Sequence, residues 1–170
     1  MAICKIKQEA YRNVDAIDRI IGYLLNAEKM PHRCYGGNGI SLSHPAQSMN
    51  VVKHAYNKTG GKQAEHFVLA FSKQENAMLT ITFIEEIAYQ ICDFFKDVQI
   101  FFAVHEVKNS FLSDDYADNC VHIHFVVNTV NIRSGKKFRF DYSNEFSLRN
   151  HIQTVLNYYD LFEWVQLVFE

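Results

Sequence analysis

A chain of 170 residues is long enough for one domain with a real core, and its 48% hydrophobic and 14% aromatic content excludes a disordered protein. The formal net charge of -2 excludes a globally basic nucleic-acid binder, so any polyanion site must be local. No apolar run is long enough to span a bilayer, the first residues lack the core of a signal peptide, and Cys4, Cys34, Cys92 and Cys120 form no Cys-x-x-Cys pair; a cytoplasmic protein with reduced thiols and no membrane partner is expected.

Ile3 to Lys7 alternates apolar and charged residues and predicts a short strand. Val14, Ile17, Ile20, Ile21, Leu24 and Leu25 then carry the spacing of an amphipathic helix, closed by Pro31 soon after Lys29. At about 100° per residue, Tyr23 falls roughly 130° from the centre of that apolar stripe. It is not a core residue of this helix, and faces solvent or a partner. Residues 32 to 43, rich in glycine, read as a loop or turn, and no Gly-Lys-Ser/Thr follows to make it a phosphate-binding loop.

A second helix is predicted from Pro45 to about Lys58, stopped by Gly60-Gly61. His66 to Phe71 is a nearly continuous apolar strand, hence central, and Thr80 to Phe95 is a helix with Ile84, Ile87, Ala88, Ile91 and Phe95 on one face. Gln99 to His105 is a further apolar strand. The polar segment Lys108 to Asn119 separates it from Val121 to Asn128. A Ser134-Gly135 turn and a hairpin partner, Lys136 to Tyr142, come next, and Leu148 to Tyr159 is helical. This order predicts an α+β fold with a central antiparallel sheet of about five strands flanked by helices, in a single domain over residues 1–170.

The chemistry concentrates in Val121 to Asn128. Side chains of a strand alternate between faces, so His122 and His124 project together. If the strand ending at His105 is a neighbour, three imidazoles converge on one face. Three histidines suit a divalent transition metal and leave coordination positions open for substrate oxygens. A cupin-like sandwich would want a glutamate shortly after the pair and an all-strand chain, and neither is present. No Gly-x-Ser-x-Gly elbow offers a serine nucleophile. A tyrosine oxygen can attack a phosphodiester and hold it covalently, which draws attention to Tyr23.

Several segments together resemble the relaxases of mobilisable plasmids and integrative conjugative elements, members of the HUH endonuclease superfamily. Ile20 to Lys29, Ile-Ile-Gly-Tyr-Leu-Leu-Asn-Ala-Glu-Lys, is similar to the family's tyrosine-bearing first motif. Glu65 to Phe71 is similar to its histidine-led central strand, and Ala103-Val104-His105 to the segment supplying one ligand. His122-Ile123-His124 with Val126, Val127 and Asn128 looks like the third motif, and Ser134 to Phe140 like the Gly-Lys-Lys hairpin. The matches keep the family's order from the N-terminus to about residue 160. The connection from His105 to His122 is longer than the family's usual one.

The resemblance implies an HUH-endonuclease fold and a DNA relaxase. In that reading Tyr23 attacks a specific phosphodiester in single-stranded origin-of-transfer DNA, leaving a 5′-phosphotyrosine link, with a divalent metal, Mn²⁺ or Mg²⁺, on His105, His122 and His124. It further implies His66, Glu106 and Asn128 as supporting residues, accessory relaxosome proteins as partners, a bacterial host, and a chain that is a catalytic portion, a short variant or a truncated form of a relaxase. DNA contacts are expected from Lys53, Lys58, Lys62, Arg133, Lys136, Lys137 and Arg139, each of which an ordinary solvated surface charge also explains. A rolling-circle replication initiator or single-strand transposase would instead use a tyrosine after the histidine pair, such as Tyr158 or Tyr159. A non-catalytic DNA-binding accessory domain and a metal storage or sensing protein are the readings of another class.

Overall fold

The structure, a computed structural model, describes residues 2–8, 11–106, 121–161 and 164–169. Its elements in chain order are β1 (Ile3–Lys7), α1 (Ala16–Leu24), β2 (Tyr35–Asn38), α2 (Pro45–Ala55), β3 (Ala64–Ala70), α3 (Lys73–Asn76), α4 (Ile81–Cys92), β4 (Val98–His105), β5 (His122–Asn131), α5 (Tyr142–Tyr158) and β6 (Gln166–Phe169). The strands form one sheet in the order β2-β4-β5-β3-β1-β6. Every pairing is antiparallel except that of β1 with β6. The α+β architecture expected from sequence holds, with six strands rather than five.

The three longest strands, β3, β4 and β5, are central and almost wholly buried, as their continuous apolar character requires. Alternation divides their side chains between two cores. On one face Phe67, Leu69, Phe102, Ile123, Phe125 and Val127 pack under α4 and α5, with Phe67 and Phe125 stacked at 4.6 Å between centroids. On the other, Phe101, Ala103 and Val126 lie under the stripe Ile17, Ile20, Ile21 and Leu24 of α1 and under Met49 of α2. His122 and His124 share this second face.

Three of the elements read from the sequence differ in the structure. The segment expected as a loop contains β2, which pairs with β4 at the sheet edge. Its glycines are there for close approach, since a Cβ on Gly36 would lie 2.5 Å from the Tyr89 hydroxyl. The first helix stops at Leu24 because Asn26 bends the chain, its Oδ1 accepting from the Glu28 amide at 3.0 Å. The turn at Ser134-Gly135 forms, with Gly135 at φ 65° and the Asn131 side chain accepting from the Arg133 and Ser134 amides. Its return arm is a single bridge, Val130 with Lys137, rather than a strand to Tyr142, because Tyr142 already begins α5, which Asp141 caps through the Asn144 amide. The connection expected over Lys108 to Asn119, and Cys120, lie outside the described residues.

Candidate active site

The register of β4 against β5 places His105 directly opposite His122 and Ala103 opposite His124. However long the connection between the strands, the three imidazoles therefore share one face and one end of the sheet. Their ring centroids lie 4.5 Å (His105–His124), 5.1 Å (His122–His124) and 5.5 Å (His105–His122) apart. One nitrogen from each falls within 4.8 Å of the others, a spacing that a single ion can bridge.

Hydrogen bonds decide which nitrogens are available. His105 donates its Nε2–H to the Leu24 carbonyl at 2.9 Å; a carbonyl only accepts, so the free lone pair is on Nδ1. His124 has its Nδ1 at 3.1 Å from His66 Nε2, while its own Nε2 is buried and has no hydrogen-bond partner among the described residues. A buried imidazole nitrogen without a partner, aimed into a cluster of two further imidazoles, is what a metal ligand looks like in the absence of its ion. Burial holds His105 and His124 below the ordinary histidine range, His124 strongly so, and their neighbours' charge adds to this; both are neutral and able to ligate. The donor set thus fits a divalent transition metal.

Tyr23 stands beside this cluster. It is 49% exposed, as its position off the apolar stripe requires, and its ring lies 6.1 Å from His105 and 6.5 Å from His124. The bend after α1 returns the chain so that Lys29 Nζ sits 3.6 Å from the Tyr23 ring centroid. His66, on β3, lies under His124 with its Nδ1 2.9 Å from the Tyr11 hydroxyl. Lys7 on β1 pairs in register with His66 and projects from the same face. Burial, with a smaller contribution from the Lys7 charge, pushes the His66 pKa down to about 3.

The other expected residues are not brought to the histidines. Asn128 is on the same face of β5 but further along it, buried, donating to the Met49 carbonyl and to Gln99 Oε1; it fastens α2 to the sheet. Glu106 turns to His32, with which it pairs at 2.5 Å. Lys53 corrects the expectation most clearly: it is 2% exposed, and its Nζ donates to the Gln63 carbonyl and to Thr129 Oγ1. Desolvation brings its pKa down to about 7, so it is an interior fastening and not a DNA contact. Lys137 caps the carbonyls of Lys58, Gly60 and Lys62; Lys62 pairs with Glu65 at 2.6 Å and Arg133 with Asp97 at 2.8 Å. Lys58, Lys136 and Arg139 are exposed. The turn carrying Lys136 follows Asn131, at the far end of β5 from His122, roughly 30 Å away at about 3.3 Å per residue.

Tyr11, Lys7 and Lys29 are the site's additional members. Lys29 was legible as the lysine closing the tyrosine segment; Tyr11 and Lys7 gave no signal, since only pairing of β1 with β3 brings the N-terminal segment to the site. Tyr158 and Tyr159, the alternative nucleophiles, end α5 on the opposite face of the sheet, where Tyr159 bonds Gln90 and Glu86.

A sheet flanked by helices, with three buried histidines on one face and a solvent-facing tyrosine beside them, defines the HUH class of nuclease. Within that class the chain belongs to the relaxases: the family model described as relaxase, MobA/VirD2-like, nuclease domain, matches residues 23–161, beginning at Tyr23 and spanning all three histidines. No curated protein matches the chain. Membership implies a nuclease that acts on DNA. Among the described residues no helix is long and apolar enough to cross a membrane.

Proposed function

We propose that the domain nicks and rejoins single-stranded DNA at an origin of transfer, with Tyr23 as nucleophile and His105, His122 and His124 holding a divalent metal, Mn²⁺ or Mg²⁺. The observation that carries this reading is the placement of Tyr23, exposed and within 6.5 Å of His105 and His124, on the one face of the sheet where imidazoles cluster. The Tyr23 oxygen bonds to phosphorus, the bond from phosphorus to the 3′-oxygen breaks, and the phenolic proton ends on that oxygen as a 3′-hydroxyl. One phosphodiester replaces another, so the bond is conserved in the 5′-phosphotyrosine link and the reverse transfer reseals the strand. The metal, when bound, supplies charge neutralisation for the scissile phosphate. Lys29 stacks on the ring of Tyr23 and places a fixed positive charge where the phosphodiester must approach. Buried, neutral His105 and His124 keep lone pairs rather than protons directed at the ion. Lys58, Lys136 and Arg139 extend an electrostatic contact to DNA at the far end of β5, and accessory proteins of a relaxosome would complete the assembly on the bacterial origin.

The test is incubation with labelled single-stranded origin DNA and Mn²⁺ or Mg²⁺, followed by a denaturing gel. A protein–DNA adduct is expected from the wild type and none from Tyr23→Phe. Persistence of the adduct in Tyr23→Phe, with loss on substituting Tyr158 or Tyr159, would transfer the role to the downstream tyrosines. Binding without an adduct would leave a DNA-binding accessory domain.

A further inference from the structure

Tyr11, His66 and His124 form an unbroken chain: the Tyr11 hydroxyl to His66 Nδ1 at 2.9 Å, and His66 Nε2 to His124 Nδ1 at 3.1 Å. The chain ends at His124 Nε2, buried and without a hydrogen-bond partner among the three candidate ligands. A neutral imidazole has one donor and one acceptor nitrogen, so only two proton arrangements satisfy both contacts. In one, His124 carries its hydrogen on Nε2 and cannot ligate. In the other, His124 Nδ1–H donates to His66 Nε2, His66 Nδ1–H donates to the Tyr11 oxygen, and His124 Nε2 presents a lone pair. The two differ by a shift of every hydrogen along the chain. A hydroxyl both donates and accepts, and so can close either one.

We infer that Tyr11 is a positioning residue that acts through His66 to hold His124 in the tautomer and ring orientation that present Nε2 to the metal. In that arrangement the Tyr11 oxygen is the acceptor for a buried His66 Nδ1–H. Without that oxygen the donor is stranded at the moment the metal binds. His66 is 6% exposed, so water is a poor replacement. The inference rests on the reading of His105, His122 and His124 as a metal site.

The experiment titrates the metal-free protein with Mn²⁺ by calorimetry and with Co²⁺ by its visible absorption, with no DNA present, and circular dichroism checks folding of each variant. Tyr11→Phe is expected to bind about tenfold more weakly, and His66→Leu about 10- to 100-fold more weakly. His66→Gln, whose amide can accept from His124 and donate to Tyr11, is expected to stay within about threefold of wild type. In the His66→Leu background Tyr11→Phe should add nothing, because its route to the metal is gone. Wild-type affinity in Tyr11→Phe, or a tenfold loss that persists in the His66→Leu background, overturns the relay while leaving the metal site standing. A wild type that binds neither ion overturns the metal site and the relay together.

Discussion

His105 donates from Nε2 to the backbone carbonyl of Leu24 at 2.9 Å, which fastens the residue after Tyr23 to a member of the histidine cluster. One imidazole thereby serves two purposes with its two nitrogens: Nε2 fixes the C-terminal end of α1, and the lone pair of Nδ1 is left for ligation. In the proposed reading, the fold rather than the substrate thus fixes the position of the Tyr23 nucleophile relative to the metal site.

His105→Ala should therefore cost more than the metal ligand proposed for this position. The Leu24 carbonyl loses its donor at a buried position, and the metal-free protein is expected to lose roughly 1–3 kcal/mol of unfolding free energy in urea from that alone. Adduct formation should fall below detection. A His105→Ala protein as stable as wild type would mean that the Leu24 contact contributes nothing to the seating of α1.

Lys29 separates from the ligands in the opposite way. It contacts the Tyr23 ring, and its charge also disfavours positive charge at His105, so Lys29→Ala should not weaken Mn²⁺ binding while slowing single-turnover cleavage by about 2- to 30-fold, the range of a cation–π contact worth ~0.5–2 kcal/mol. Lys29→Arg, which keeps the charge over the ring, should recover most of the rate. Equal loss in both variants would point to geometry of the bend rather than charge.

How far the sequence discloses this site follows from which interactions are local. The period-two alternation of Val121 to Asn128 sets His122 and His124 on one face, and the helical period of Ile17 to Leu24 sets Tyr23 outside the core; both are properties of single elements, and both hold in the fold. The pairing of His105 with His122 requires the two strands to be neighbours, a condition the sequence leaves open and the register of β4 on β5 meets. What stayed hidden depends on long-range placement. Lys53 looks like a basic helix face until α2 docks with that side inward. Gly36 looks like a loop residue until β4 lies beside it, and Tyr11 carries no periodic signal at all. Edge strand β6 is short, only half-buried and parallel to β1, so nothing in its four residues marks it.

Acid should weaken the metal-free fold through His66. Its native pKa of about 3 lies below the ordinary 6.5, so between these values the unfolded chain binds a proton that the native state refuses. Stability is therefore fully present above about pH 6.5 and falls as pH drops toward 3. At about pH 5 the loss from His66 alone is on the order of 2 kcal/mol relative to neutral pH. Urea melts across this range should show a shallower slope for His66→Gln, which has no proton to bind; an unchanged slope would place the acid sensitivity elsewhere.

The basic residues divide into those that hold the fold and those that can meet DNA. Lys53→Met removes the donor to the Gln63 carbonyl and Thr129, and is expected to cost about 1–3 kcal/mol of stability while leaving DNA affinity and its salt dependence at wild-type values. Lys136→Ala and Arg139→Ala should behave in the reverse sense, because both side chains are exposed and neither stability nor the turn depends on their charge. Each is expected to lower affinity for single-stranded DNA and to reduce the slope of log K against log salt by roughly 0.7, the signature of one lost phosphate contact on a single strand. Fluorescence anisotropy with a labelled oligonucleotide at several salt concentrations measures all three. Because this hairpin lies roughly 30 Å from His122, at about 3.3 Å per residue along β5, an oligonucleotide must be long enough to span both regions. Shortening it should abolish the effect of Lys136→Ala and Arg139→Ala before it abolishes cleavage. An effect of either substitution on the shortest cleavable oligonucleotide would show that the strand does not run from the histidines to the hairpin.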